Sequence, residues 1–209
     1  MYWMVLTDPS VLERLKKEQE EALALDEKTV DKVAPGEQQP EVDHKMKIEN
    51  STSGTANGEF YRDAGKCSGG DGGLISYEFE TNSEDSLSLM VRYWGNEGCT
   101  RIFDIDIDGE KLTTETISNR WNKNEFVNVT YPIPDNMVKG KKIVRISFTA
   151  TSGMVGGIYS VRLLRNKPKP EVQDTVPTIA APARTPARPD FKARVMGDEL
   201  QIASGAVLS

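Results

Sequence analysis

Four acidic residues stand out for the chemistry their spacing offers. Asp104, Asp106 and Asp108 lead into Gly109, and Glu115 follows six residues later, which fills the D-x-D-x-D-G-x5-E spacing of a calcium loop. In such a loop, oxygen ligands wrap a hard cation around a sharp glycine turn between two helices. The residues in between argue against it. Phe103, Ile105 and Ile107 alternate with the aspartates, so all three carboxylates project from one face of a strand. Asp108-Gly109 then reads as a tight hairpin turn. Three carboxylates on one sheet face repel one another, and the sequence alone leaves open whether a cation bridges them. No metal ligand is assigned.

A second constellation is aromatic. Tyr93-Trp94-Gly95 and Trp121, with Asn96, Arg101 and Asn119 close by in sequence, contain what a glycan site uses. Exposed indoles cover the apolar C–H face of a sugar, and neighbouring amide or guanidinium groups meet its hydroxyls. Trp94, Arg101, Trp121 and Asn96 are therefore the candidate carbohydrate-binding residues. The competing reading is that the tryptophans fill the ends of a sandwich, and Tyr93 lies on the apolar side of its strand as core aromatics do.

The glycine run Gly69-Gly70-Asp71-Gly72-Gly73 lacks the Gly-Lys-Ser/Thr ending and following helix of a phosphate loop, so it reads as a turn. His44, the single histidine, sits beside acids and is expected to be hydrogen-bonded rather than a ligand. Cys67 and Cys99 are the only cysteines, and spacing does not decide whether they pair. No Ser/His/Asp set, no Cys/His pair and no marked carboxylate pair is present, so no catalytic residue is assigned.

The elements that must position these residues are mostly strands. Segments 74–79, 87–93, 102–107, 112–117, 126–131, 143–149 and 158–164 are β-type and bounded by turn residues. Leu87, Leu89, Val91 and Tyr93 share one face, as do Val144, Ile146 and Phe148. Period-two patterning with one buried face predicts an all-β fold: an antiparallel β-sandwich or jelly roll over residues 44–165. Before it, residues 1–43 read as an apolar strand at 1–6, a helix and a connector. Asp8-Pro9-Ser10 starts the helix, which runs to about Leu25, and its thin stripe of Leu12, Leu15, Ala22 and Leu23 needs something to lie against. The connector, with Pro35-Gly36 and Pro40, is expected to be irregular from 32 to 53. A Pro-rich linker follows at 166–190, and a short tail at 191–209 has room for one or two short strands.

Composition narrows the partners. The net charge of -6 disfavours nucleic acid and anionic membranes. No apolar run approaches the ~20 residues a span needs, so no membrane partner is expected. The opening residues lack a basic region and a cleavage site and are not read as a signal peptide. One histidine rules out a His-rich zinc site, and no cofactor is expected.

Several short motifs, in order, resemble a known family. Thr29 to Val33, followed by Pro35-Gly-Glu37-Gln38-Gln39-Pro-Glu41-Val-Asp43-His44, is similar to the segment just after the catalytic part of glycoside hydrolase family 127, the β-L-arabinofuranosidase-like proteins. Tyr61-Arg62-Asp63-Ala64, Val91-Arg92-Tyr93-Trp94-Gly95, Arg101-Ile-Phe103-Asp104, Tyr131-Pro132-Ile133-Pro134 and Gly156-Gly157-Ile-Tyr-Ser-Val-Arg162 resemble the β-sandwich at the C-terminus of those proteins. The resemblance implies a catalytic barrel upstream, with a glutamate and a cysteine-bound zinc that no residue of this chain supplies. It also implies a secreted or periplasmic bacterial protein that degrades complex glycans. The expectation is a non-catalytic accessory domain packing against the upstream catalytic region of its parent. The alternative is a carbohydrate-binding module that recognises plant-type glycans.

Overall fold

The computed structural model describes residues 8–70 and 72–167. The chain divides into two units, 1–170 and 171–209, and every described residue belongs to the first. The strand expected at 1–6, most of the proline-rich stretch and the tail lie outside the described residues.

The first element is helix α1 (Pro9–Lys28), capped by the Asp8 carboxylate, which accepts from the Ser10 N–H at 2.9 Å with proline in the first turn. It runs three residues past the expected end and stops where Thr29 bonds back to the Leu25 carbonyl. No side chain of α1 is buried, and Leu12, Leu15 and Leu23 are exposed.

After α1 the chain forms β1 (Thr29–Val33), α2 (Gln38–Asp43), β2 (Lys47–Glu49), β3 (Ser51–Ala56), β4 (Glu59–Gly65), β5 (Leu74–Glu80) and β6 (Leu87–Trp94). It continues with β7 (Arg101–Ile107), β8 (Glu110–Thr116), β9 (Phe126–Pro132), α3 (Asp135–Val138) and β10 (Ile143–Arg165). All strand pairings are antiparallel. The fold is the expected antiparallel β-sandwich with an N-terminal helix.

Two layers share one long strand. The first has the order β2-β5-β10-β7-β8, built on residues 143–153 of β10. The second runs β3-β4-β10-β6-β9, built on residues 154–165, with β1 replacing β4 beside residues 161–164. The two strands expected at 143–149 and 158–164 are thus halves of one 23-residue strand that changes sheets. Such corners need local irregularity. Here the register shifts between Ala150 and Ser152, and Gly153 takes φ 73°. A Cβ at Gly153 would lie 1.9 Å from the Thr100 carbonyl oxygen, so the corner admits only glycine.

Leu87, Leu89, Val91 and Tyr93 face inward from β6 and meet Phe103, Ile105, Val144, Ile146 and Phe148 of the other layer. The alternation in the sequence therefore builds a single core between the sheets.

The connector expected to be irregular carries structure of its own. β1 pairs with β10 from Thr29 to Val33. α2 places Glu41 inside, 3% exposed, where it accepts from Arg62 of β4, the Tyr77 hydroxyl of β5 and the Gly36 N–H. Proline and glycine at 35–40 read as breakers because they interrupt regular elements, yet here they shape the turn that carries this carboxylate inward.

Candidate functional site

The outer face of the second layer carries a row of aromatic rings. Trp94 of β6 and Phe126 of β9 are cross-strand partners, with ring centroids 5.1 Å apart and edge to face. Phe126 meets Tyr159 of β10 at 4.9 Å, and Tyr159 meets Tyr61 of β4 at 5.6 Å. Four strands thus contribute one ring each. Strand alternation sets this up: Tyr93 points into the core and Trp94 points away from it. Tyr159 reaches the same face because the β10 register shifts between Ile158 and Ser160. Tyr159 is almost fully buried, while Trp94, Phe126 and Tyr61 keep part of their surface in solvent.

Beside the row lies a groove of about 230 Å³ lined by Glu59, Met90, Arg92, Asn128, Ser160 and Arg162, with Leu25 of α1 as one wall. Asn128, Arg92 and Ser160 sit side by side across three strands. Arg92 joins the two features. Its guanidinium lies 4.3 Å over the Phe126 ring, a cation–π contact, and its Nη2 donates to Glu59 at 2.7 Å. Its Nε is buried without a partner among the described residues. Arg162 is held at the groove's end by Asp26 and Thr29. That ion pair also anchors the C-terminal turn of α1.

Near Tyr159 stands Arg101. It pairs with Glu97 at 3.0 Å and donates through Nε to the Gly98 carbonyl, while its Nη1 is buried without a partner among the described residues. Burial raises the Glu97 carboxyl above the usual carboxylate range, Arg101 opposes this, and the charge of Asp63 adds to it. Glu97 adjoins Tyr159, whose hydroxyl is pushed up to about 12 by burial first and then by Glu97. Gly157 keeps this corner open: a Cβ there would come 2.9 Å from Glu97 Oε1 and 3.2 Å from the Tyr159 ring.

Of the four residues singled out from sequence, Trp94 belongs to the aromatic row and Arg101 stands near its Tyr159. Asn96 is exposed and donates to Asn124 at 2.7 Å. Trp121 lies elsewhere. It stacks on the core residue Tyr93 at 6.2 Å and 22°, and the Arg120 guanidinium lies 4.8 Å over the Trp121 ring. Because Tyr93 and Trp94 point to opposite sides of β6, the two tryptophans do not share a face, and no Trp94–Trp121 platform forms.

The acidic spacing is dismantled in the same way. Asp108-Gly109 is the hairpin turn between β7 and β8, with φ of 51° and 83°. Asp104 accepts from Thr114 and Lys111, and Asp108 accepts from the Arg145 N–H and Lys141. Glu115 pairs with Phe103 and faces inward, where the Tyr131 hydroxyl and Arg120 donate to it. The aspartates and Glu115 are on opposite faces of one hairpin. Among the described residues no group of His, Cys, Asp or Glu is arranged to hold a metal. Cys67 and Cys99 are joined in a disulfide. His44 is hydrogen-bonded to Asp31 and to the Pro40 carbonyl, as expected.

The sequence reading missed Phe126, Tyr159, Tyr61, Arg92 and Glu97. The signal for Phe126 and Arg92 was available: in a strand that buries Tyr93, Arg92 and Trp94 must share the outer face. Tyr159 gave none, because its direction depends on a register shift.

Several solved structures are similar to part of this chain. A family 35 carbohydrate-binding module from Clostridium thermocellum is similar, with 16% identity and a TM-score of 0.44, covering 64% of this chain and 98% of that one. A CBM35 from Paenibacillus barcinonensis is similar at 13% identity and a TM-score of 0.41, covering 56% and 91%. An exo-β-1,3-galactanase from Phanerochaete chrysosporium is similar at 10% identity and a TM-score of 0.44, covering 57% of this chain and 27% of the enzyme. No curated protein matches the sequence. The model of a family of unknown function, DUF6805, matches residues 24–164, from the last turn of α1 to the end of β10.

Proposed function

The chain belongs to the DUF6805 family, and on that premise we propose that it is a non-catalytic β-sandwich domain that holds glycans on the outer face of its second layer. The observation that carries this reading is the contiguity of the aromatic row with the polar groove. Trp94, Phe126 and Tyr61 offer partly exposed ring surface to sugar C–H groups, and Arg92, Asn128, Ser160 and Glu59 offer donors and acceptors to sugar hydroxyls. The similar modules described above carry carbohydrate binding in their own names, which agrees with the reading. Affinity electrophoresis of the full chain in gels containing soluble plant polysaccharides tests it. Retardation by at least one polysaccharide, lost on Trp94→Ala, is the expected result. Unretarded migration in every gel rejects it.

A second observation favours attachment to a larger protein. Leu12, Leu15 and Leu23 lie exposed on a helix that buries nothing. In this reading α1 packs against an upstream catalytic region, and the parent is a glycan-degrading hydrolase of family 127, as the motif resemblance implies. The same reading assigns residues 1–43 to the junction, 44–165 to the module, 166–190 to a linker and 191–209 to a tail. The parent is secreted or periplasmic and bacterial, and the Cys67–Cys99 disulfide fits an oxidising compartment.

A further inference from the structure

The groove beside the aromatic row gathers two guanidiniums in an acidic protein. The chain has a net charge of -6, yet the groove is lined by two arginines, Arg92 and Arg162, and one carboxylate, Glu59. Glu59 and Asp26 neutralise the two guanidiniums at rest, and an anion that takes the place of either carboxylate meets an arginine already positioned in the groove.

The arginines are held loosely enough to be shared. Glu59 and Asp26, their partners, are 38% and 52% exposed, and ion pairs at such sites are worth little net stability. Each pairing uses one terminal nitrogen of the fork: Nη2 of Arg92 and Nη1 of Arg162. The remaining donors suit a planar carboxylate, which guanidinium binds in a bidentate way. In the register, Arg92 lies opposite Ser160 and Arg162 lies opposite Met90, so the two are diagonal neighbours across β6 and β10. Diagonal pairs on one sheet face are about 7–8 Å apart, a separation that two long side chains close on to one anion. Phe126, under Arg92, and Trp94 next to it supply the apolar surface for the ring that bears the carboxylate.

We infer that the groove recognises an acidic sugar, a glycuronic acid residue whose carboxylate is held by Arg92 and Arg162 while its ring lies toward Phe126 and Trp94. This rests on the glycan-binding reading and specifies its ligand class.

Isothermal titration of the full chain with glucuronic acid and with glucose separates the two. The oligosaccharides that terminate in these sugars, and sodium acetate, serve as further probes. Glucuronate-bearing ligands are expected to bind at least about tenfold more tightly than the matched neutral ones, with affinity falling as salt rises. Arg92→Gln and Arg162→Gln are each expected to abolish that preference, with circular dichroism showing the fold retained. If one variant fails to fold, the other carries the test. Equal or tighter binding of the neutral ligands overturns the acidic-sugar assignment and leaves glycan binding standing. Acetate binding as tightly as glucuronate overturns it in favour of a bare anion site. No binding by any saccharide overturns both readings.

Discussion

Glu41 and Arg62 form a two-pronged ion pair inside the sandwich, with the Glu41 oxygens 2.5 Å from Nε and 2.7 Å from Nη2. The pair ties α2 to β4, and the Tyr77 hydroxyl, 2.9 Å from Glu41, ties both to β5. Burial raises the Glu41 carboxyl, but Arg62, the Gly36 N–H and Tyr77 together hold it below its usual value. The Tyr77 hydroxyl is pushed far up by burial and then by the Glu41 charge, so it stays protonated and donating.

Removing one member leaves a buried charge without its counterpart. Glu41→Ala is expected to cost about 3–5 kcal/mol in urea unfolding, since Arg62 then remains inside alone. Tyr77→Phe, which removes one hydrogen bond and no charge, is expected to cost about 1 kcal/mol. The double variant Glu41→Leu/Arg62→Met is expected to be more stable than Glu41→Ala. Equal losses for Glu41→Ala and Tyr77→Phe would show that the pair does not hold the segment.

The corner of β10 offers a test of backbone geometry. Gly153→Ala forces a left-handed residue and drives a Cβ into the Thr100 carbonyl, whereas Gly58, at φ 84°, has open space around it. Gly58→Ala is expected to cost about 1–2 kcal/mol from the left-handed backbone alone, and Gly153→Ala clearly more. Thermal unfolding of the two variants side by side measures the difference. Similar losses would mean that the corner relaxes without strain.

The acidic hairpin predicts an absence. Calorimetric titration of the full chain with calcium is expected to give no binding heat and no shift in Tm. Asp104 and Asp108 already accept from lysines and from Thr114 and the Arg145 N–H, and Glu115 lies across the sheet from them. A Kd tighter than about 1 mM, within the range of extracellular calcium modules, would overturn the assignment.

The residues legible in advance are those whose direction follows from strand alternation. Phe103, Ile105 and Ile107 separated the aspartates from the core, which was enough to reject a helix-bracketed loop. The same alternation built the β6 core face. Trp121 was not legible, because it lies in the loop between β8 and β9, and only the fold decides that it closes over Tyr93. Nor was the inward turn of Glu41. A charged residue directly after a proline carries the pattern of a surface connector, and its burial depends on Arg62 and Tyr77 arriving from strands 21 and 36 residues away. The strands β1 to β4 were missed for a related reason. β1, β2 and β3 are short or polar edge strands, such as Ser51-Thr-Ser-Gly-Thr-Ala56, and β4, which lies between β3 and β10, interleaves Glu59, Arg62 and Asp63 with its apolar residues, so their pairing comes from their neighbours rather than from an apolar stripe.

The single imidazole makes the pH dependence of stability readable. His44 Nε2 lies 3.1 Å from Asp31 Oδ1, its Nδ1 faces the Pro40 carbonyl, and its ring packs on Phe79. The hydrogen bond to Asp31 raises the His44 pKa above 6.5 against the opposing effect of burial, with Pro40 and Asp43 adding to the rise. Burial raises Asp31 in turn, but His44 and the N–H groups of Glu80 and Lys32 bring it below 3.8. A histidine raised on folding stabilises fully below its unfolded value and loses that contribution as pH climbs through the folded value. A lowered aspartate stabilises above its unfolded value and loses its contribution as pH falls through the folded one. The pair is therefore at full strength between 3.8 and 6.5. The chain's Tm is expected to fall as pH climbs above 6.5 and through the raised value of His44, where the imidazolium loses its proton. His44→Gln, which keeps a donor to Asp31 without a titrating ring, is expected to flatten that slope. The same decline in wild type and variant would assign it to other groups and leave the His44–Asp31 contact without a part in pH-dependent stability.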